Sequence, residues 1–123
     1  MPKLESKFWQ EVKKNITQIS FTRLESWASA GVPDLLCYNK KGTFFTIELK
    51  VAKRKKIIFS PHQIAFHMKH PEHTFILLKV LEPLAIKLYA GKKVQELLTM
   101  GHEPVAYIAK GWTTVQEHLV NVT

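Results

Sequence analysis

The nine residues from Thr43 to Val51 constrain the fold most, because apolar and polar side chains alternate from Phe45 onward. Alternate residues of a β-strand share a face, so this pattern predicts a strand with one buried face. The buried face would carry Phe45, Ile47, Leu49 and Val51. Glu48 and Lys50 would then point to the opposite face, where charged side chains are available for chemistry.

A second strand is predicted from Val32 to Tyr38, joined to the first by a hairpin turn over residues 39–42. If the turn is centred on Lys41, Asp34 lies directly across from Glu48. Directly opposed residues have Cβ atoms about 5 Å apart, and two carboxylates that close repel unless positive charge lies between them. The pattern therefore indicates either a divalent-cation site beside Lys50 or an ordinary cross-strand ion pair.

The cation alternative implies a specific chemistry. Mg²⁺ binds one or two carboxylates, keeps several waters and often contacts a substrate phosphate. A bound metal lowers the pKa of a water and stabilises charge that develops on phosphorus. Lys50 would orient that water or neutralise the transition state.

The first helix is predicted from Leu4 to about Ile16, because Leu4, Phe8, Val12 and Ile16 recur every four residues. Glu5 falls near the middle of this apolar stripe, where a carboxylate is costly unless it is paired or faces a cation. Glu5 is therefore the candidate for a third acidic group. The alternative is an exposed glutamate that the helix dipole favours.

The remaining pattern predicts a mixed α/β chain, treated as a single domain over residues 1–123. Ser60 is the expected N-cap of a helix that ends before Pro71, with Pro61 at its first position and Gln63 completing a capping box. Further strands are expected over 20–25, 74–80, 85–89 and 105–108. Further helices are expected over 92–100 and for a turn or two after Trp112.

The charge balance favours a polyanionic partner, because 18 Lys and Arg residues against 10 Asp and Glu give a net charge of +8. A basic run follows the acidic strand directly and is either a phosphate-binding surface or a solvated loop; it comprises Lys53, Arg54, Lys55 and Lys56.

Four histidines, expected at the surface, lack the Cys or acidic partner of a zinc site; they are His62, His67, His70 and His73.

The expected location is intracellular. The single cysteine, Cys37, cannot form an internal disulfide and is expected in the core. The N-terminal residues lack the apolar segment of a signal peptide, and the most apolar stretch is too short to cross a membrane.

Together these residues resemble the PD-(D/E)XK nuclease superfamily, and within it the small VRR-NUC domains and the archaeal and phage Holliday-junction resolvases. The resemblance covers roughly residues 4–80. It rests on Glu5, the Pro33-Asp34 pair, Glu48-Leu49-Lys50 and the Ser60-Pro61-His62-Gln63 helix start.

The resemblance implies a restriction-endonuclease-like core, with a central mixed β-sheet flanked by helices, and a role for each matching residue. Asp34, Glu48 and the backbone carbonyl of Leu49 would bind Mg²⁺ or Mn²⁺, with Glu5 bound directly or through water. Lys50 would be the catalytic lysine and Gln63 would border the site. Arg23 and Ser29 would contact the DNA backbone. Glu25 has no secure counterpart and is either an acid behind the site or a surface residue.

The expected function is metal-dependent cleavage of DNA selected by shape, with the four-way junction as substrate, in recombination or repair in a prokaryotic or phage-infected cell. Two symmetric cuts require two sites and hence a homodimer, with an interface expected at Leu97, Leu98, Trp112 and Val115. One alternative is a VRR-NUC-like repair nuclease acting on flaps, ends or nicks. Another is a non-catalytic nucleic-acid-binding protein.

Overall fold

The computed structural model describes residues 2–24 and 30–123. Its elements are α1 (Lys3–Asn15), β1 (Ser20–Arg23), β2 (Leu35–Tyr38), β3 (Phe44–Ala52), α2 (Pro61–Lys69), β4 (Thr74–Leu81), β5 (Leu84–Ala90), a 3₁₀ turn (Gly91–Lys93), α3 (Val94–Met100), β6 (Ala109–Lys110) and α4 (Trp112–Val120). None of the described helices has the length and apolar character needed to cross a membrane.

The six strands form one mixed sheet in chain order, β1 to β6. Only the pairing of β3 with β4 is parallel, and α2 makes the crossover between these two strands. All other neighbours are antiparallel. The predicted mixed α/β architecture is confirmed.

Two apolar layers cover the sheet. On one side, α1 and α4 pack Phe8, Val12 and Val115 against the face that carries Ile47 and Leu49. On the other side, a second core is built from β4, β5, α3 and the segment that follows β3; it includes Ile57, Phe59, Ile76, Leu78 and Leu97. Glu48 and Lys50 lie on this second side, at the margin of the apolar cluster.

The dimer interface expected in the C-terminal half is wrong for most of its residues. Leu97 and Val115 are fully buried in the two cores of the same chain. Trp112 packs its ring against Phe8, with ring centroids 6.0 Å apart. Leu98 alone among the four is exposed. Leu97 and Val115 close the two small cores and are not available to a partner.

The β2–β3 turn is held by a side chain that the sequence pattern did not single out. Asn39 is buried, and its Oδ1 accepts hydrogen bonds from the backbone N–H groups of Lys41 and Thr43, both at 3.1 Å. Its Nδ2 donates to the carbonyl of Leu119 in the last turn of α4 and to that of Val122 just after the helix. Asn39 thus fixes the turn and ties it to the last helix.

The largest differences between the predicted and observed strand boundaries lie at β2 and β6. β2 begins at Leu35 rather than Val32, because Pro33 has no N–H to donate and Asp34 bonds the neighbouring strand with its side chain. β6 lies at Ala109–Lys110 rather than 105–108. The backbone N–H of Val105 donates to the carbonyl of His102 and closes a turn, so the strand that pairs with β5 begins only after this turn.

Candidate active site

Asp34 directly precedes β2 and lies opposite Glu48 of β3. Leu35 pairs with Ile47 in the antiparallel ladder, and the same register carried one residue further places Asp34 against Glu48. This confirms the predicted turn centre at Lys41. Asp34 is half-buried, and its Oδ2 accepts a hydrogen bond from the backbone N–H of Leu49 at 2.8 Å.

Glu48 is buried, with 2% of its surface exposed. Its Oε2 accepts a hydrogen bond from Nε2 of Gln63 at 3.1 Å. Its Oε1 is buried and meets no hydrogen-bond partner within the described residues. Burial raises the pKa of Glu48, and the neighbouring charge of Asp34 raises it further, whereas Lys50 opposes the rise. Two carboxylates so placed need either a shared proton or a cation.

Lys50 is held in place by α2. Its Nζ donates to Oε1 of Gln63 at 2.9 Å and lies 4.9 Å from the ring centroid of Phe59. The predicted capping box is confirmed: Ser60 accepts from the N–H of Gln63, whose Oε1 accepts from the N–H of Ser60. Gln63 therefore caps its helix and bridges Lys50 to Glu48 at the same time.

Glu5 lies at the start of α1, half-buried and close to the other charges. Burial raises its pKa, Lys50 lowers it and Asp34 raises it, while a hydrogen bond from the backbone of Val51 lowers it. Glu5 and Lys50 line one cleft of about 420 Å³ with Lys53 and Lys56. The N-terminal helix thus brings a carboxyl group to the edge of the site.

The residues present fit a cation held by two side chains rather than three. Within residues 2–24 and 30–123, no three His, Cys, Asp or Glu side chains form a group that could hold a metal ion. Glu5 therefore does not complete a three-carboxylate cluster with Asp34 and Glu48. The unpartnered Oε1 of Glu48 beside a second carboxylate is nevertheless the donor set that a hard divalent cation prefers. A role for the Leu49 carbonyl remains a prediction.

The basic run divides into two paired and two unpaired side chains. Arg54 forms an ion pair with Glu82 at 3.3 Å, and Lys55 forms one with Glu103 at 3.6 Å. Lys53 and Lys56 face the cleft, and the described residues offer neither of them an ion pair. The run is thus partly a structural loop and partly available to a polyanion.

Other predicted residues lie away from this geometry. Arg23 is exposed at the end of β1. Ser29 and Glu25 lie outside the described residues. Cys37 is buried in the core as predicted, and burial raises the pKa of its thiol.

His67 contradicts the expectation that the histidines are at the surface. Its side chain is fully buried, and neither ring nitrogen has a hydrogen-bond partner within the described residues. Burial lowers its pKa to about 4, and Lys50 contributes to the shift. The signal available in the sequence was its position one helical turn after Gln63, on the face that α2 turns to the sheet.

No family model and no curated protein matches this chain. Among solved structures it is similar to Hjc of Archaeoglobus fulgidus, a Holliday junction resolvase from an archaeal hyperthermophile, at 16% identity. The superposition covers 74% of this chain and 76% of that chain, with a TM-score of 0.50. Together with the mixed six-stranded sheet, this likeness shows that the chain has the restriction-endonuclease-like fold.

Proposed function

We propose that this protein is a metal-dependent, structure-selective DNA endonuclease, and that its substrate is the four-way junction, cut by paired nicks. One observation carries the proposal. Two opposed carboxylates, Asp34 and Glu48, meet beside an oriented lysine, and one oxygen of Glu48 is buried with no hydrogen-bond partner among the described residues. Without a cation, a structural acid cluster would have to satisfy that atom with a proton shared with Asp34.

Asp34 and Glu48 would hold the cation, with Glu5 reaching it through water. When bound, Mg²⁺ or Mn²⁺ would polarise the phosphate and lower the pKa of an attacking water. Lys50 lies on the same strand face as Glu48, so its ammonium would neutralise charge on the phosphate oxygens. Gln63 would keep Lys50 and Glu48 in register through its two hydrogen bonds.

The substrate class is inferred from charge and from the fold. The net charge of +8 suits a phosphate backbone, as do Lys53 and Lys56 beside the cleft, which form no ion pair within the part of the chain that the structure describes. Such contacts give affinity without sequence information, which favours selection by shape. The likeness to an archaeal Holliday junction resolvase supports the four-way junction. Paired nicks require two sites, so we propose a homodimer of two-fold symmetry.

A cleavage assay tests the proposal. Labelled four-way junction, flap, duplex and single-stranded DNA are incubated with Mg²⁺ or with EDTA, using the native chain, Asp34→Asn and Lys50→Ala. Symmetric, metal-dependent nicks in the junction that both variants lose would support a resolvase. Cleavage of flaps or ends would instead support a VRR-NUC-like repair nuclease. Binding without cleavage in all three proteins would overturn the nuclease and leave a non-catalytic DNA-binding protein.

A further inference from the structure

Among residues 2–24 and 30–123, nothing covers the outer part of the face of β1 and β2 that also carries the candidate active site. Ser20, Tyr38 and Phe44 form one cross-strand row on this face, because Ser20 pairs with Tyr38 and Tyr38 pairs with Phe44. All three side chains are exposed. Asp34 and Glu48 form a row of the same face, four residues further along the strands.

Two aromatic rings lie together on this open face. The ring centroids of Tyr38 and Phe44 are 4.5 Å apart at an angle of 48°. Tyr38 is 42% exposed and Phe44 is 60% exposed. A single exposed apolar residue is ordinary, but an exposed ring pair in register with a site offers a flat surface on which another ring can stack.

The charge around the ring pair fits a polyanion. Lys40 and Lys41 are exposed in the turn that joins Tyr38 to Phe44. The residues that β1, β2 and β3 turn to this side include no acids, in the described part of the chain, besides Asp34 and Glu48. Helix α2, which borders the face, also has no acidic residue. Two copies of this face would bring like charges together, so a nucleic acid is the better occupant.

We infer that Tyr38 and Phe44 form a stacking surface for a nucleotide base that is not held inside a duplex. This inference rests on the proposed function and deepens it by naming a base that is unpaired at the branch point of the DNA as part of the substrate. Four residues of strand separate Phe44 from Glu48, about 13 Å at about 3.3 Å per residue. The base therefore lies within a few nucleotides of the scissile phosphate.

Binding experiments without cleavage test the inference. The DNA is a duplex with a short unpaired flap that carries 2-aminopurine, and the matched control is the fully paired duplex, both in EDTA. We expect quenching of the 2-aminopurine fluorescence by the native chain. Phe44→Leu or Tyr38→Leu keeps an apolar side chain but cannot stack, and should weaken flap binding about 5- to 150-fold while leaving duplex binding unchanged.

Tyr107→Leu is the control variant, because Tyr107 is an aromatic residue of similar exposure, 49%, near the opposite edge of the sheet. It should leave flap binding and quenching at native values. Equal flap affinity of Phe44→Leu and the native chain would overturn the inference. So would a change in sedimentation from dimer to monomer with flap affinity intact, which would make the face a contact between copies.

The same measurements separate this inference from the proposed function. The native chain could quench the 2-aminopurine, with the quenching lost in Phe44→Leu, and yet cut none of the DNA substrates with Mg²⁺. That result would support the stacking surface and contradict the nuclease. Cleavage that Asp34→Asn abolishes, together with unchanged flap binding by Phe44→Leu and Tyr38→Leu, would retain the nuclease and remove the stacking surface.

Discussion

The side-chain amide of Gln63 donates to Oε2 of Glu48 at 3.1 Å, and this bond ties helix α2 to the strand that carries the candidate carboxylates. The carbonyl oxygen of the same amide accepts from Nζ of Lys50 at 2.9 Å. The side chain of Gln63 therefore sets the distance between the carboxylate of Glu48 and the ammonium of Lys50, which lie on the same face of β3. Because Gln63 is also the capping residue of α2, the position of the helix and the geometry of the site are coupled.

Replacing Gln63 with Leu should reduce cleavage about 10- to 100-fold, as is typical when the groups that orient metal ligands are removed. The lost cap should lower the free energy of unfolding by about 1 kcal/mol. Ser60→Ala is the matched control, because it removes the other half of the capping box without touching Glu48 or Lys50. Initial cleavage rates and urea unfolding would be measured for both. Equal loss of cleavage in the two variants would show that Gln63 acts only through helix stability.

The raised pKa of Glu48 makes stability depend on pH. The folded chain holds this proton to higher pH than the unfolded chain, so the associated stability is present below about pH 4.5 and is lost as pH rises. Asp34→Asn removes a neighbouring negative charge, while an amide oxygen can still accept from the N–H of Leu49. We expect this variant to lose less stability than the native chain between about pH 5 and about pH 8 in EDTA.

The measurement is the thermal unfolding midpoint across that range, with and without Mg²⁺. A cation replaces the proton, so Mg²⁺ should stabilise the native chain more at the upper end of the range and should have little effect on Asp34→Asn. A native chain whose midpoint does not respond to Mg²⁺ at any pH would contradict a cation site at these carboxylates.

The sequence was sufficient to predict the opposition of Asp34 and Glu48, because a strand periodicity of two and a short turn determine a hairpin register. The helix start at Ser60 was equally predictable, since capping depends on local hydrogen bonds. The placement of Leu97 and Val115 was not, because an apolar residue looks the same in sequence whether it closes its own core or meets a partner. Asn39 was missed for a related reason: its partners on α4 lie about eighty residues away.

The basic run should contribute unequally to DNA binding. Lys53→Ala with Lys56→Ala should weaken binding and reduce the slope of log affinity against log salt by about 2, if each lysine contacts one phosphate. Arg54→Ala with Lys55→Ala should have a smaller effect, because both side chains already pair with glutamates. Fluorescence anisotropy over a salt series would measure both slopes. Equal slopes for the two double variants would remove the distinction between paired and unpaired cations.

His67 should make the protein sensitive to acid. Its pKa falls from 6.5 to about 4 on folding, so its contribution to stability is present above about pH 6.5 and is lost as pH falls toward 4. At about 1.4 kcal/mol per pKa unit, the native chain should lose about 2 kcal/mol from this group between pH 7 and pH 5. His67→Leu removes the titration and two unpartnered nitrogens. Chemical unfolding would be measured at pH 7 and pH 5. The free energy of unfolding of the variant, relative to that of the native chain, should be higher at pH 5 than at pH 7. An equal difference at the two pH values would contradict the lowered pKa of His67.

Asn39 should matter more to stability than any other residue of the turn, because one side chain makes four hydrogen bonds to backbone groups. Asn39→Ala should cost roughly 2–4 kcal/mol, since it leaves buried backbone groups unpaired on the hairpin and on α4. Asn39→Asp keeps the acceptor for the N–H groups of Lys41 and Thr43 but loses both donations to α4. It should therefore lower stability while preserving the register, so that cleavage per folded molecule stays near the native value. If Asn39→Asp instead abolishes cleavage in protein that is fully folded by circular dichroism, the register that opposes Asp34 to Glu48 depends on the last helix as much as on the turn.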